Sequence, residues 1–176
     1  MPRYVALLRG INVGRAKAIS MAQLASVFSG LAFMDVTTLL RSGNVMFGSD
    51  EAVPHDTPSR IEAAILAATG VQSSVLLLDA AEFSAILEAS PLVDIATDGS
   101  KSFITFVTSM PTSIELPDAA SLAPEVLAMG PAAVYQWMPD GSLQTRVPRS
   151  FWKQFDAPVT TRNWNTVLKL RALLSD

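Results

Sequence analysis

The apolar positions of the chain come in short blocks whose spacing switches repeatedly between strand-like and helix-like. Residues 3–9 carry Tyr4, Val5, Leu7 and Leu8 in a nearly continuous run, the pattern of a strand buried on both faces. Met21, Leu24, Val27, Phe28 and Leu31 then mark one face of a helix. Ser20 precedes it with Gln23 three positions on, a spacing that lets two side chains and two helix-end backbone amides satisfy each other reciprocally. Residues 36–40 and 45–47 flank Arg41-Ser42-Gly43-Asn44, where glycine and asparagine tolerate positive φ, so the two runs predict a hairpin. Thr57-Pro58 opens a second helix, with proline preset for the first turn, and Gly70 closes it. Residues 74–78 supply a fourth strand. The order β-α-β-β-α-β predicts a ferredoxin-like unit over residues 1–79, with two helices covering one face of an antiparallel sheet.

The second half reads as another unit of similar size. Asp79 and Glu82 open a helix with Phe83, Ile86 and Leu87 facing inward, which Pro91 ends. Residues 92–100 are weakly patterned and predict a loop. Residues 103–107 predict a strand, 117–130 a proline-bordered helix, and 133–138 with 143–147 a hairpin about Pro139-Asp140-Gly141-Ser142. Helices at 149–155 and 164–174 complete the chain. The whole is expected to be α+β, two α/β-plait (ferredoxin-like) units over 1–79 and 80–176, each an antiparallel sheet covered by helices.

Composition narrows the chemistry. With 176 residues, 49% of them hydrophobic, there is material for a substantial core. The absence of cysteine excludes disulfides, thiolate nucleophiles and cysteine-bound metals, and fits a reducing compartment. His55 is the single histidine, so imidazole-rich metal sites are excluded, no metal site is expected, and a Ser-His-Asp arrangement around Ser42 finds little support. Neither a secretory signal nor an apolar membrane span is visible, which predicts a cytoplasmic protein. Charge is uneven along the chain: residues 1–47 carry a net +4, residues 48–140 a net −11 and residues 141–176 a net +4. Basic ends meeting in space would form a positive face, whereas balance within the fold would erase it. No heptad or apolar stripe declares an oligomeric state.

Three short segments have residue types suited to contacts more than to packing. Arg9-Gly10-Ile11-Asn12-Val13-Gly14 joins the first strand to the first helix, and its glycines, arginine and asparagine suit an anion-binding loop. It lacks both the P-loop ending and the full dinucleotide-binding spacing. Arg41-Ser42-Gly43-Asn44 brings a guanidinium, a hydroxyl and an amide into four residues. Thr160-Thr161-Arg162-Asn163-Trp164-Asn165-Thr166 is more polar than a helix cap requires, which leaves donors for a phosphate or carboxylate. A structural reading stands beside each: a turn, a hairpin and a cap with a core tryptophan.

These segments, with Val5-Ala6-Leu7-Leu8 before the first and Val45-Met46-Phe47 after the second, resemble the hallmark stretches of an uncharacterised bacterial family, domain of unknown function 1697. The resemblance implies a two-part α/β-plait architecture and no established activity, substrate or cofactor. Where relatives commonly have a second glycine and more basic residues, this chain has Arg15-Ala16-Lys17-Ala18. The leading expectation is a cytoplasmic binding protein for a small anionic ligand, at a cluster made by Arg9, Gly10, Asn12, Gly14, Arg41, Ser42, Asn44, Thr161, Arg162, Asn163 and Asn165. The alternatives are an enzyme using the same cluster, for which a buried carboxylate such as Asp156 would speak, a nucleic-acid-binding protein, and a purely structural polar network.

Overall fold

The structure, a computed structural model, describes residues 1–12 and 18–175. The chain divides into two units, one of Met1–Phe83 with Leu170–Asp176, the other of Ser84–Lys169.

The first unit contains β1 (Arg3–Arg9), α1 (Met21–Gly30), β2 (Met34–Leu39), β3 (Asn44–Gly48), α2 (Thr57–Thr69) and β4 (Ser74–Asp79). Its sheet has the order β2-β3-β1-β4 with every neighbouring pair antiparallel. β1 is central and Val5–Leu8 are at most 1% exposed, as a strand covered on both faces requires. Tyr4, Ala6 and Leu8 pack with Val45 and Phe47 against Leu24 and Phe28 of α1 and Ile61 and Ile65 of α2. The alternate set, Val5, Leu7, Met46 and Leu76, is buried as well. The expected cap forms: Gln23 N donates to Ser20 Oγ at 3.1 Å, and Ser20 N to Gln23 Oε1 at 3.1 Å. Gly70 ends α2 in the left-handed region at φ 70, its N–H bonded to Leu66 O. Arg3 Nη2 donates to Leu173 O at 3.1 Å, which ties the C-terminal segment to this unit.

Helix α3 (Ala80–Glu88) starts at a second capping box, in which Glu82 N donates to Asp79 Oδ1 and Asp79 N to Glu82 Oε2. The second unit then contains β5 (Ser102–Phe106), α4 (Ala119–Leu122), β6 (Val126–Met129), β7 (Ala133–Trp137), α5 (Arg149–Trp152) and β8 (Thr160–Asn163), followed by α6 (Trp164–Ser175). Its sheet order, β6-β7-β5-β8, repeats the permutation of the first, again with antiparallel neighbours. The fold is thus α+β, two plaits of the same topology. Val134 packs with Leu122, Val147, Phe151 and Phe155 on one side of the second sheet. On the other, Tyr135 Oη donates to Ile86 O at 2.6 Å.

Three sequence expectations are corrected in this unit. Of the helix expected over 117–130, only Ala119–Leu122 is helical and Val126–Met129 is a strand, because Pro124 breaks the helical bonding and Gly130-Pro131 turns the chain into β7. Residues 143–147 form no strand. Ser142–Gln144 is a 3₁₀ turn with Leu143 95% exposed, and the Glu125 carboxylate draws in Thr145 Oγ1 at 2.8 Å and Arg146 N at 2.7 Å. The polar segment before the last helix, expected only to cap it, also forms the edge strand β8 over Thr160–Asn163, consistent with its β-branched threonines.

Candidate functional site

In the first unit, the loop after β1 and the turn between β2 and β3 are joined. Leu8 N donates to Gly43 O at 2.7 Å, and Asn12 Nδ2 donates to Arg41 O at 2.7 Å. Asn12 Oδ1 also accepts from Ile19 N at 2.8 Å, so one amide side chain bridges the strand exit, the hairpin turn and the approach to α1. Gly10 at φ 87 and Asn12 at φ 53 bend this loop through the left-handed region, and a Cβ on Gly10 would touch Gln72 O at an ordinary 3.4 Å. Gly43, at φ 82, leaves no room for a side chain: a Cβ would meet Leu8 Cβ and Ile11 Cδ1 at 2.8 Å.

The two arginines of these segments have a different environment. Arg9, the last residue of β1, and Arg41, at the hairpin turn, are both exposed. Among the described residues the ion pair is Arg3 with Asp35 at 3.8 Å, and neither Arg9 nor Arg41 has one. Asn44 is fully buried and its Nδ2 donates to Leu39 O at 2.8 Å and Ser42 Oγ at 3.0 Å. Ser42 therefore takes part in a turn hydrogen bond. Gly14, together with Val13, Arg15, Ala16 and Lys17, lies outside the described residues.

The third segment lies in the second unit, at the junction of β8 and α6. Thr161 Oγ1 is 2.8 Å from Thr105 Oγ1 across the sheet, and Asn163 Oδ1 accepts from Thr166 N at 2.9 Å as the helix cap. Asn165 N donates to Gly99 O at 3.3 Å, and its side chain fills the space a Cβ on Gly99 would need. Arg162 is half-buried, with Nη1 donating to Thr161 O at 2.9 Å. Desolvation draws its guanidinium down to about 10, so it remains a cation at neutral pH. A cavity of about 70 Å³ lined by Ser90, Leu92, Ser102 and Trp164 adjoins this junction.

The segments of the first unit are thus brought together, and the third belongs to the second unit. Of their amides, Asn12, Asn44 and Asn163 hold backbone groups, whereas the hydroxyls of Ser42 and Thr161 bond to side chains. Asp156 is exposed, and so is His55. Among the described residues the buried carboxylate is Glu125, 7% exposed and held by Gln136 Nε2, Thr145 Oγ1 and Arg146 N. Sequence reasoning passed over it, although an acid between a proline and an apolar run was the signal for it. No group of three or more metal-ligating side chains occurs among the described residues, and no helix there is long and apolar enough to cross a membrane.

A model of the family described as "Protein of unknown function (DUF1697)" matches residues 1–135. The chain belongs to this family. The match takes in both motif segments of the first unit of this DUF1697 protein and stops short of the third. Among solved structures it is similar to a conserved bacterial protein from Streptococcus pneumoniae, at 24% identity and a TM-score of 0.69, over 100% of this chain and 99% of that one. That likeness speaks to the fold: two helix-covered antiparallel sheets with no closed barrel. No curated protein matches this DUF1697 member.

Proposed function

We propose that this protein is a cytoplasmic binding protein for a small phosphate- or carboxylate-bearing ligand, with Arg9 and Arg41 as its primary contacts. The observation that carries the reading is the stitched pair of loops. Leu8 N to Gly43 O and Asn12 Nδ2 to Arg41 O fix two chain segments against each other, and each ends in an exposed guanidinium without an acidic partner among the described residues. A fixed backbone beneath both arginines lowers the ordering cost of gripping an anion. Arg162 is the second unit's counterpart, a partly desolvated guanidinium that keeps its charge at neutral pH. The lack of cysteine suits a reducing compartment.

Thermal-shift titration with inorganic phosphate, citrate and adenosine nucleotides tests this on wild type, Arg9→Ala, Arg41→Ala and Arg162→Ala. A ligand at about 100 times its Kd should stabilise wild type by about 2.7 kcal/mol, a shift of several degrees. Loss of that shift in Arg9→Ala and Arg41→Ala, at unchanged ligand-free melting, is the expected result. Equal shifts in wild type and both variants, or none with any anion, would overturn the proposal.

A structural role for the amides is the second reading. It is favoured by Asn12, Asn44 and Asn163, each of which holds backbone atoms. On that reading their alanine variants melt lower, with or without anion.

A further inference from the structure

We propose that the free edge of β6, with the groove between it and α4, docks an extended basic segment of a partner protein by strand addition. The other sheet edges carry protection. On β4, Val75 N donates to Glu62 Oε1 at 2.7 Å and Asp79 N to Glu82 Oε2 at 3.0 Å, so carboxylates occupy two of its backbone donors. On β2 the register shifts between Met34 and Thr37, and there the exposed Asp35 sits at φ 49, paired with Arg3. β8 contains Arg162 and Asn163 and runs directly into α6.

β6 has none of these devices. Its four residues, Val126–Met129, are uncharged and half-buried. Gly130 N donates to Ala133 O at 2.8 Å to close the hairpin with β7. Hydrogen-bonded pairs alternate along an antiparallel ladder, so Val126 and Ala128 bond to β7 while Leu127 and Met129 direct their N–H and C=O outward. Beside this edge lies a groove of about 270 Å³ lined by Ala119, Leu122, Pro124 and Leu127, with Leu116 53% exposed in its wall. An added strand would complete the ladder and set alternate side chains into that groove.

Charge selects the occupant. From residue 102 to residue 145 the chain has no Lys, Arg or His and four acids, Glu115, Asp118, Glu125 and Asp140. Glu125 is engaged internally, and Arg146, the next cation along the chain, donates its guanidinium to the Ala123 carbonyl. Glu115 and Asp118 are exposed. Two copies paired edge to edge through β6 would set like charges against each other, whereas a strand bearing Lys or Arg would be attracted.

The test titrates the ¹⁵N-labelled full chain with the capped peptide Lys-Val-Thr-Val-Lys-Val, its Glu-for-Lys analogue and an analogue with proline at the central valine. The expected result is amide shifts centred on Leu127 and Met129 with the Lys peptide, weakening several-fold with added salt, and binding at least about tenfold weaker for both analogues. Leu127→Pro, which removes an outward N–H, should abolish the shifts while the amide dispersion of the first unit is kept. Shifts elsewhere, no shift at millimolar peptide, equal binding of the Glu analogue, or a dimer in sedimentation with the Leu127 amide protected would each overturn the proposal. The wild-type titration decides even where the proline variant fails to fold.

Discussion

Gly43 and Gly70 share a left-handed backbone, at φ 82 and φ 70, but their surroundings differ. Nothing lies within 4 Å of a Cβ built on Gly70, whereas one on Gly43 meets Leu8 and Ile11 at 2.8 Å. Gly70→Ala should therefore cost only the backbone strain, about 1 kcal/mol, and Gly43→Ala about 3 kcal/mol once overpacking is added. Urea denaturation with unchanged m-values checks this, and equal costs would refute the crowding argument. Both glycines were legible as turn or cap residues, since φ is a local property. Asn12 was not legible in the same way. An amide side chain offers one donor group and one acceptor, and sequence alone does not say whether a ligand or the chain's own backbone takes them. Here the partners are Arg41 O and Ile19 N. Asn12→Asp keeps the acceptor for Ile19 and loses the donor to Arg41, so it should cost about 1–2 kcal/mol while amide exchange at Ile19 stays slow. Rapid exchange at Ile19 would mean the carboxylate no longer holds it.

Among elements, the first plait was readable because its strands are apolar runs and its helices, of 10 and 13 residues, are long enough to show a period. In the second, α4 and α5 have four residues each and β6 lies within a stretch bordered by prolines, so no periodicity develops. β8 was hidden by its polarity. Its threonines look like caps, yet Thr161 bonds sideways to Thr105. The β4 edge shows how one side chain can govern an element. Glu62, on α2, accepts from Val75 N, which would otherwise face outward from the sheet. Glu62→Ala should cost about 1 kcal/mol and introduce concentration-dependent association, while Glu62→Gln, which retains an acceptor, should behave nearly as wild type. Light scattering during a thermal ramp reads the difference; two variants that associate alike would assign the effect to lost charge instead.

At the scale of the whole molecule, the charge asymmetry along the chain largely disappears in the fold. The first unit holds seven basic and eight acidic residues and the second six and eight, so each is close to neutral. The pH dependence of stability then rests on particular groups, and two of them oppose each other in alkali. Burial raises the Tyr135 phenol above its ordinary value of about 10. As pH rises past that value the unfolded chain releases this proton while the folded one keeps it, so stability falls. Arg162 works in the other sense: desolvation brings its folded value to about 10, below its unfolded one, so the folded state releases its proton first and stability is gained above that pH. Tyr135→Phe should lose about 1 kcal/mol at neutral pH, because its hydroxyl no longer donates to Ile86 O, but should decline less steeply than wild type above pH 10. Arg162→Met should decline more steeply. Lysines and the remaining tyrosine are common to all three proteins, so differences between their urea curves over this range isolate the two groups. Parallel curves would mean that neither side chain changes its proton affinity on folding, and would remove desolvation of Arg162 as a support for anion binding in the second unit.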